Sequence, residues 1–349
     1  MMGMRAGRKP SAPGPRERGR AGWSCRIAAA ALFLAAPWAR GSDFGSHAVG
    51  TAGSEFLNID VDARGIAMGG AFSAVTADAY ALYWNPAGLS SIPRISAAAM
   101  HNEYFAGIRM QHFTYAQRAT DTSVFGAAIR YMDVGEITNT DINGNTIGTF
   151  HPRNYVYEVG WGQSITDLSD AEREVSMGIG GRYFHSDLVA HADGFSGDVG
   201  IQAHYTDVYL PYHFGLVLQN IGQGQKFDAV RDNLPFRARL GSSINPKPSV
   251  LVALEAVFPI SNHPYGAAGV EVSLNPTDKL IAFLRGGFNS RSLFSGLDGL
   301  RGVTLGFGVK ARDITFDYAF VPFGLLGNAH RFSVSWNLPA KHSRRLRPR

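Results

Sequence analysis

From residue 94 to residue 338, apolar and polar residues alternate in segments roughly ten residues long, the period of a strand with one buried face. Val303, Leu305, Phe307 and Val309 share one face of their segment, and Thr304, Gly306, Gly308 and Lys310 share the other. Ile314, Phe316, Tyr318 and Phe320 oppose Thr315, Asp317 and Ala319; Phe332, Val334, Trp336 and Leu338 oppose Arg331, Ser333, Ser335 and Asn337. Segments 199–206 and 236–245 repeat the pattern, whereas 108–117 alternates poorly. Fourteen such segments begin near residues 94, 108, 123, 155, 175, 195, 213, 236, 250, 266, 279, 302, 313 and 330. The pattern predicts an all-β fold of about 14 antiparallel strands.

The connections carry independent information. Residues 119–122, 166–174, 245–249, 275–278 and the neighbourhood of Arg312 are mostly compact, whereas 134–154, 223–235, 260–265 and 289–301 are longer. Short turns at one end and long loops at the other predict a transmembrane β-barrel, with both chain ends on the short-turn, periplasmic side. The apolar faces would then meet lipid. The opposite faces carry Glu158, Arg182, Gln202, His204, Arg237, Arg239, Glu255, Glu271, Arg285, Lys310 and Asp317. These belong in a lumen, because a midplane arginine on the lipid face costs about 2–4 kcal/mol. Tyr155, Tyr157, Trp161, Phe258, Phe320 and Trp336 lie near segment ends, where aromatic girdles form.

Composition narrows the class further. Charged residues are 17% of the 349, glycines number 41, and mean hydropathy is −0.07, which excludes coiled coils, disordered chains and helical membrane proteins. The apolar run 27–38 is too short for a membrane-spanning helix. It follows Arg16, Arg18, Arg20 and Arg26 and precedes Ala39-Arg40-Gly41. That order predicts a signal peptide over 1–41, and hence export to the outer membrane. Cleavage there removes Cys25, the only cysteine, and with it any disulfide or thiolate ligand. The net charge of +5 comes from the ends: 1–41 carries +7 and 340–349 carries +5, leaving the body at −7. Such a body offers no basic face for nucleic acid.

Residues 42–93 differ from the rest. Small residues dominate 63–81, with helical pieces expected near 63–68 and 78–83 and Asp78 as N-cap or first-turn acid of the second. Pro86 in Asn85-Pro86 stops helix, and Gly88 permits positive φ. A small-residue segment suits tight packing in a lumen, so 42–93 is expected to plug the barrel (94–338) from the periplasmic side. A basic tail, 339–349, follows.

The pieces Ala63-Arg64-Gly65-Ile66-Ala67-Met68-Gly69-Gly70-Ala71, Ala77-Asp78-Ala79 and Tyr83-Trp84-Asn85-Pro86-Ala87-Gly88-Leu89 resemble the N-terminal signature of the PorV/PorQ family. That family is a branch of the FadL-like outer-membrane barrels. Residues 317–333, Asp-Tyr-Ala-Phe-Val-Pro-Phe-Gly-Leu-Leu-Gly-Asn-Ala-His-Arg-Phe-Ser, resemble its C-terminal end, and the likeness spans roughly 50–338. The basic tail departs from it. The resemblance implies fourteen strands and an N-terminal segment in the lumen. It also implies a part in type IX protein secretion, shuttling or docking cargo that carries a C-terminal secretion domain. The alternative is a FadL-like transporter of hydrophobic solutes.

Nothing here reads as an enzyme or calls for a cofactor: Gly-x-Ser-x-Gly and His-Glu-x-x-His are absent. His185, His191 and His204 with Asp187 and Asp193 are the only candidate metal cluster, and solvated histidines explain them as well. Phe294, Leu325 and Leu326, with Phe150, Leu188, Val189, Leu293, Leu297 and Phe323, put apolar side chains on external loops, as a partner surface would. In 134–154, Asn143-Gly144 between extended flanks predicts a type I′ hairpin.

Overall fold

The computed structural model describes residues 49–339 except 167–172, 189, 207, 228, 230, 278 and 292–300. The expected signal peptide, 1–41, and residues 340–349 of the tail lie outside the described residues. Fourteen strands close into one barrel, each hydrogen-bonded to its sequence neighbours and the first to the last. They are β1 (Ile95–Glu103), β2 (Arg109–Arg118), β3 (Ser123–Asp133), β6 (Arg153–Ser164), β7 (Arg173–Asp187), β8 (His191–Tyr205), β9 (Tyr212–Gln223), β10 (Arg237–Lys247), β11 (Val250–Pro259), β12 (Tyr265–Thr277), β13 (Leu280–Asn289), β14 (Val303–Ala311), β15 (Ile314–Pro322) and β16 (Asn328–Leu338); β4 (Ile137–Thr140) and β5 (Thr146–Phe150) stand apart as a hairpin. Every expected strand start falls within four residues of an observed one. Closure leaves no unpaired edge, the condition for spanning lipid with strands.

The alternation sorts as expected. Leu305, Phe307 and Val309 are exposed outward, while Thr304 on the other face is buried. Even the poorly patterned β2 alternates strictly, exposed then buried. Its inward face holds His112 and Thr114, which blurred the hydropathy period without changing the pleat. Loop lengths sort less cleanly. The longest connections, 134–152, 224–236 and 290–302, share one end, the expected outer one, but 104–108, 188–190 and 323–327 there are short.

At the outer rim, residues of alternating charge face each other directly across six strands. Glu103 pairs with Arg109, Arg109 with Asp133, Asp133 with Arg153, Arg153 with Asp187, and Asp187 with His191. Opposite charges at cross-strand positions favour this register over a slipped one.

The β4–β5 hairpin turns at Asp141–Asn145, but not as type I′. Gly144 alone of its residues has positive φ, at 84°, and its N–H donates to Asp141 O. Type I′ needs two such residues. The Asp141 carboxylate explains the difference, because it accepts from the N–H groups of Asn143 and Asn145 and so stabilises an Asx turn with Asn143 at negative φ.

Candidate functional site

Residues 55–92 lie inside the barrel and fill it from one end to the other. Gly53 and Ala52 sit beside Asn233 at the outer end, and Ile92 meets Arg118 at the periplasmic end. The segment is therefore no cap at the periplasmic mouth alone. Helix α1 (Ala63–Ala67) and helix α2 (Ala81–Trp84) are joined by turns, and a 3-10 stretch Pro86–Ser91 leads to β1. Asp78 is not the N-cap of α2; that position is Tyr80. The Asp78 carboxylate instead accepts from Tyr80 N–H two residues on, a turn-forming bond that delays the helix.

The sequence-selected plug residues all make contacts to the wall or shape the segment. Arg64 donates twice to Glu271, at 2.8 and 2.7 Å. Met68 is fully buried against Gly269. Gly69 and Gly70 take φ of 71° and 84°, and a Cβ on Gly69 would lie 2.6 Å from Phe288 O. Trp84 is buried under the guanidinium of Arg239 at 4.6 Å. Asn85 donates to Ser73 O and Ile201 O while accepting from Ala87 N–H. Pro86 opens the 3-10 stretch. Gly88 does not use positive φ, contrary to expectation. A Cβ there would lie 2.4 Å from Thr76 O, so the glycine serves close approach.

Three ion-pair groups tie this segment to the strands. In the first, Glu158 bridges Arg130 at 2.5 Å and Arg182 at 3.2 Å, and Arg182 continues to Asp198 and Asn220. The guanidiniums of Arg130, Arg182 and Arg237 lie 4.9–5.8 Å from the ring of Tyr83. In the second, Glu255 pairs with Arg239 and accepts the N–H groups of Phe72 and Ser73 at 2.8 and 2.9 Å. In the third, Glu271 takes both Arg64 and Arg285, and Arg285 reaches Asp317 at 2.6 Å. Pairing of this kind offsets the cost of burying these charges.

Glycines on the lumen face of the strands let the backbones touch. A Cβ on Gly178 would lie 2.2 Å from Pro86 C, one on Gly200 2.0 Å from Asn85 Oδ1, and one on Gly287 2.0 Å from Gly69 N. Gly162, Gly215, Gly241 and Gly306 make comparable contacts around the wall.

Other expected lumen groups are less engaged. Lys310 is only partly buried. His204 packs against His213 at 4.6 Å. At the outer tip, His185 pairs with Asp193 and His191 with Asp187, and no group of three or more His, Cys, Asp or Glu among the described residues could hold a metal ion. Leu325 and Leu326 are exposed, 79% and 48%; Phe294, Val189, Leu293 and Leu297 lie outside the described residues.

Asp62 caps α1, accepting from the N–H groups of Arg64 and Gly65.

A plugged, charge-lined, closed barrel invites comparison with outer-membrane proteins. A family model described as type IX secretion system protein PorV matches residues 43–246. The chain belongs to the PorV family. Among curated proteins there is no match. Solved FadL-like barrels share the fold. The Pseudomonas putida toluene transporter TodX is 13% identical with a TM-score of 0.51, covering 80% of this chain and 99% of its own. The Ralstonia pickettii toluene transporter TbuX is 14% identical with a TM-score of 0.50, covering 79% and 96%. A Pseudomonas aeruginosa FadL homologue is 9% identical with a TM-score of 0.51, covering 79% and 98%. At these identities the likeness is one of architecture. A PorV-family barrel with this architecture resides in the cell outer membrane, in contact with its lipid.

Proposed function

We propose that this PorV-family barrel is a sealed, non-enzymatic docking protein of type IX secretion, receiving the C-terminal domain of a cargo at its outer face and passing it to the cell surface. The observation that carries this reading is the attachment of residues 55–92 to the wall through three ion-pair groups and a girdle of glycine contacts. Among the described residues these contacts span the lumen from Asn58 to Ser90. A conduit for an apolar solute needs a pre-formed apolar path, and here the path crosses buried charge.

The transporter reading draws on one feature, a cavity of about 510 Å³ whose lining includes Phe56, Ile59, Phe105 and Phe323. The two readings separate in a strain lacking the gene and complemented with Leu325→Ser/Leu326→Ser. Assembly should be intact, surface display of cargo should fall at least about tenfold as exposed apolar anchors are lost, and toluene uptake should be unchanged. Loss of toluene uptake with normal display would establish the transporter instead.

A further inference from the structure

The cavity at the outer end of the lumen has a chemistry that the plug does not use. Its floor is Asp60, and its mouth is a cluster of Tyr104, Phe105 and Phe323, whose ring centroids lie 4.4–5.2 Å apart. Arg331 on β16 lines its wall. Of the six arginines that are buried among the described residues, five have a carboxylate within 4.0 Å: Arg130, Arg182, Arg237, Arg239 and Arg285. Arg331 has none among the described residues, although it is only 5% exposed. Its Nη1 donates to Asp60 O at 3.0 Å and its guanidinium lies 5.7 Å from the ring of Tyr104, but its Nε has no partner. Directly across the ladder stands Asn102, fully buried with both amide atoms unpartnered.

Asp60 interacts with Arg331 electrostatically at longer range, but its carboxylate forms no close ion pair with it. The carboxylate is drawn downward, accepting from the Tyr83 hydroxyl at 2.9 Å and lying 3.7 and 3.9 Å from Arg237 and Arg239. A buried guanidinium with an idle donor is costly in isolation and strongly favours a carboxylate brought to it, since charge-assisted bonds are the strong ones. The plug lines the cavity with Asn58, Ile59, Asp60, Ile66, Gly69 and Gly70. Such a lining suits a side chain presented by a docked chain better than a solute in transit.

We propose that this vestibule receives an acidic peptide segment, a carboxylate flanked by aromatic or apolar side chains, with Arg331 as its counter-charge and the Tyr104–Phe105–Phe323 cluster as its apolar seat. The proposal rests on the docking reading above and names the site at which docking occurs.

The test uses the full barrel in detergent micelles and two capped, fluorescent tripeptides: an aspartate between two phenylalanines, and its asparagine analogue. The aspartate peptide should bind at least about tenfold more tightly than the asparagine peptide. Arg331→Gln should abolish that preference, and Arg331→Lys should retain part of it. Heat-modifiable migration on gels reports which variants are folded. If Arg331→Gln does not fold, Tyr104→Ala serves in its place and should weaken both peptides equally. Absence of any preference in the wild type, or a preference that survives Arg331→Gln, overturns the proposal. Dodecanoate is the third probe: if it binds more tightly than the aspartate peptide and depends on Arg331, the occupant is a free amphiphile and the peptide assignment fails. Peptide preference with undiminished cargo display in the deletion strain would reject the secretion reading and leave the vestibule's chemistry standing.

Discussion

Replacing Glu158 with alanine should destabilise the barrel by about 3–5 kcal/mol, the range for removing one partner of a buried ion pair. Glu158 stands between two guanidiniums that are themselves buried. Arg182 would keep Asp198 and Asn220. Arg130 would keep only the carbonyl of Leu57, at 3.4 Å, and its approach to the Tyr83 ring. The cost therefore falls mainly on Arg130, which is 1% exposed. Glu158→Gln should cost less, because the amide oxygen still accepts a hydrogen bond while the charge is gone. Removing Arg130 as well, as Arg130→Met/Glu158→Ala, should recover much of the loss, since no unpaired charge then remains. Urea midpoints and the temperature at which the folded gel band disappears measure all three. Equal midpoints for Glu158→Ala and the wild type would mean that the ion-pair groups do not hold the plug to the wall.

The contrast between Glu158 and Arg130 marks what could be read from sequence. Glu158, Arg182, Arg237, Arg239, Glu255, Glu271, Arg285 and Asp317 stand out because each is a polar position on the opposite parity from a run of apolar ones. Parity is a backbone property and survives without knowledge of contacts. Strand number, strand starts and the lumen face follow from it. Arg130 obeys the same parity in β3, but its inward neighbours are Ala128 and Gly126, so no contrast of faces singles it out. Arg331 was visible as a polar position, yet its lack of a carboxylate is a three-dimensional fact.

The plug was legible as a segment of different composition but not as a geometry. Its length allows it to run the height of the lumen, while its small residues suggest only close packing. What decides the path is a match between two distant sets, Met68–Gly70 with Gly269 and Gly287, and Asn85–Gly88 with Gly178 and Gly200. The lumen-facing strand glycines carried this signal. Each looks like a strand weakener by propensity, and only the pairing of lumen-facing glycines with plug backbone explains why the strands tolerate them. The Gly88 case shows the ambiguity: a glycine before contact is known reads as conformational freedom, and here it is clearance.

Gly178→Val tests that clearance, and should open the lumen. An added Cβ would lie 2.2 Å from Pro86 C and 2.4 Å from Ala87 N and Pro86 O. These are backbone atoms of a short 3-10 stretch, so no side-chain rotation relieves the overlap, and overpacking of this kind costs about 1–3 kcal/mol or more. The wall has no reason to fail. Gly178 lies in the middle of β7, paired with Gly162 on one side and Gly200 on the other, and valine favours strands. The strain must therefore fall on the plug, starting with the bonds from Asn85 to Ser73 and Ile201. Glycine at position 181 of the same strand is the control, because a Cβ there meets nothing within 4 Å. In planar bilayers the wild type and Gly181→Val should show little or no ion conductance, whereas Gly178→Val should show channel openings, with new protease cleavage between residues 81 and 92. The ions would pass a lumen wall rich in arginine and carboxylate, so the openings should be water-filled and only weakly ion-selective. If Gly178→Val conducts no more than Gly181→Val while both are folded, the 86–91 stretch yields without leaving the lumen, and the glycine girdle is not what seals the barrel.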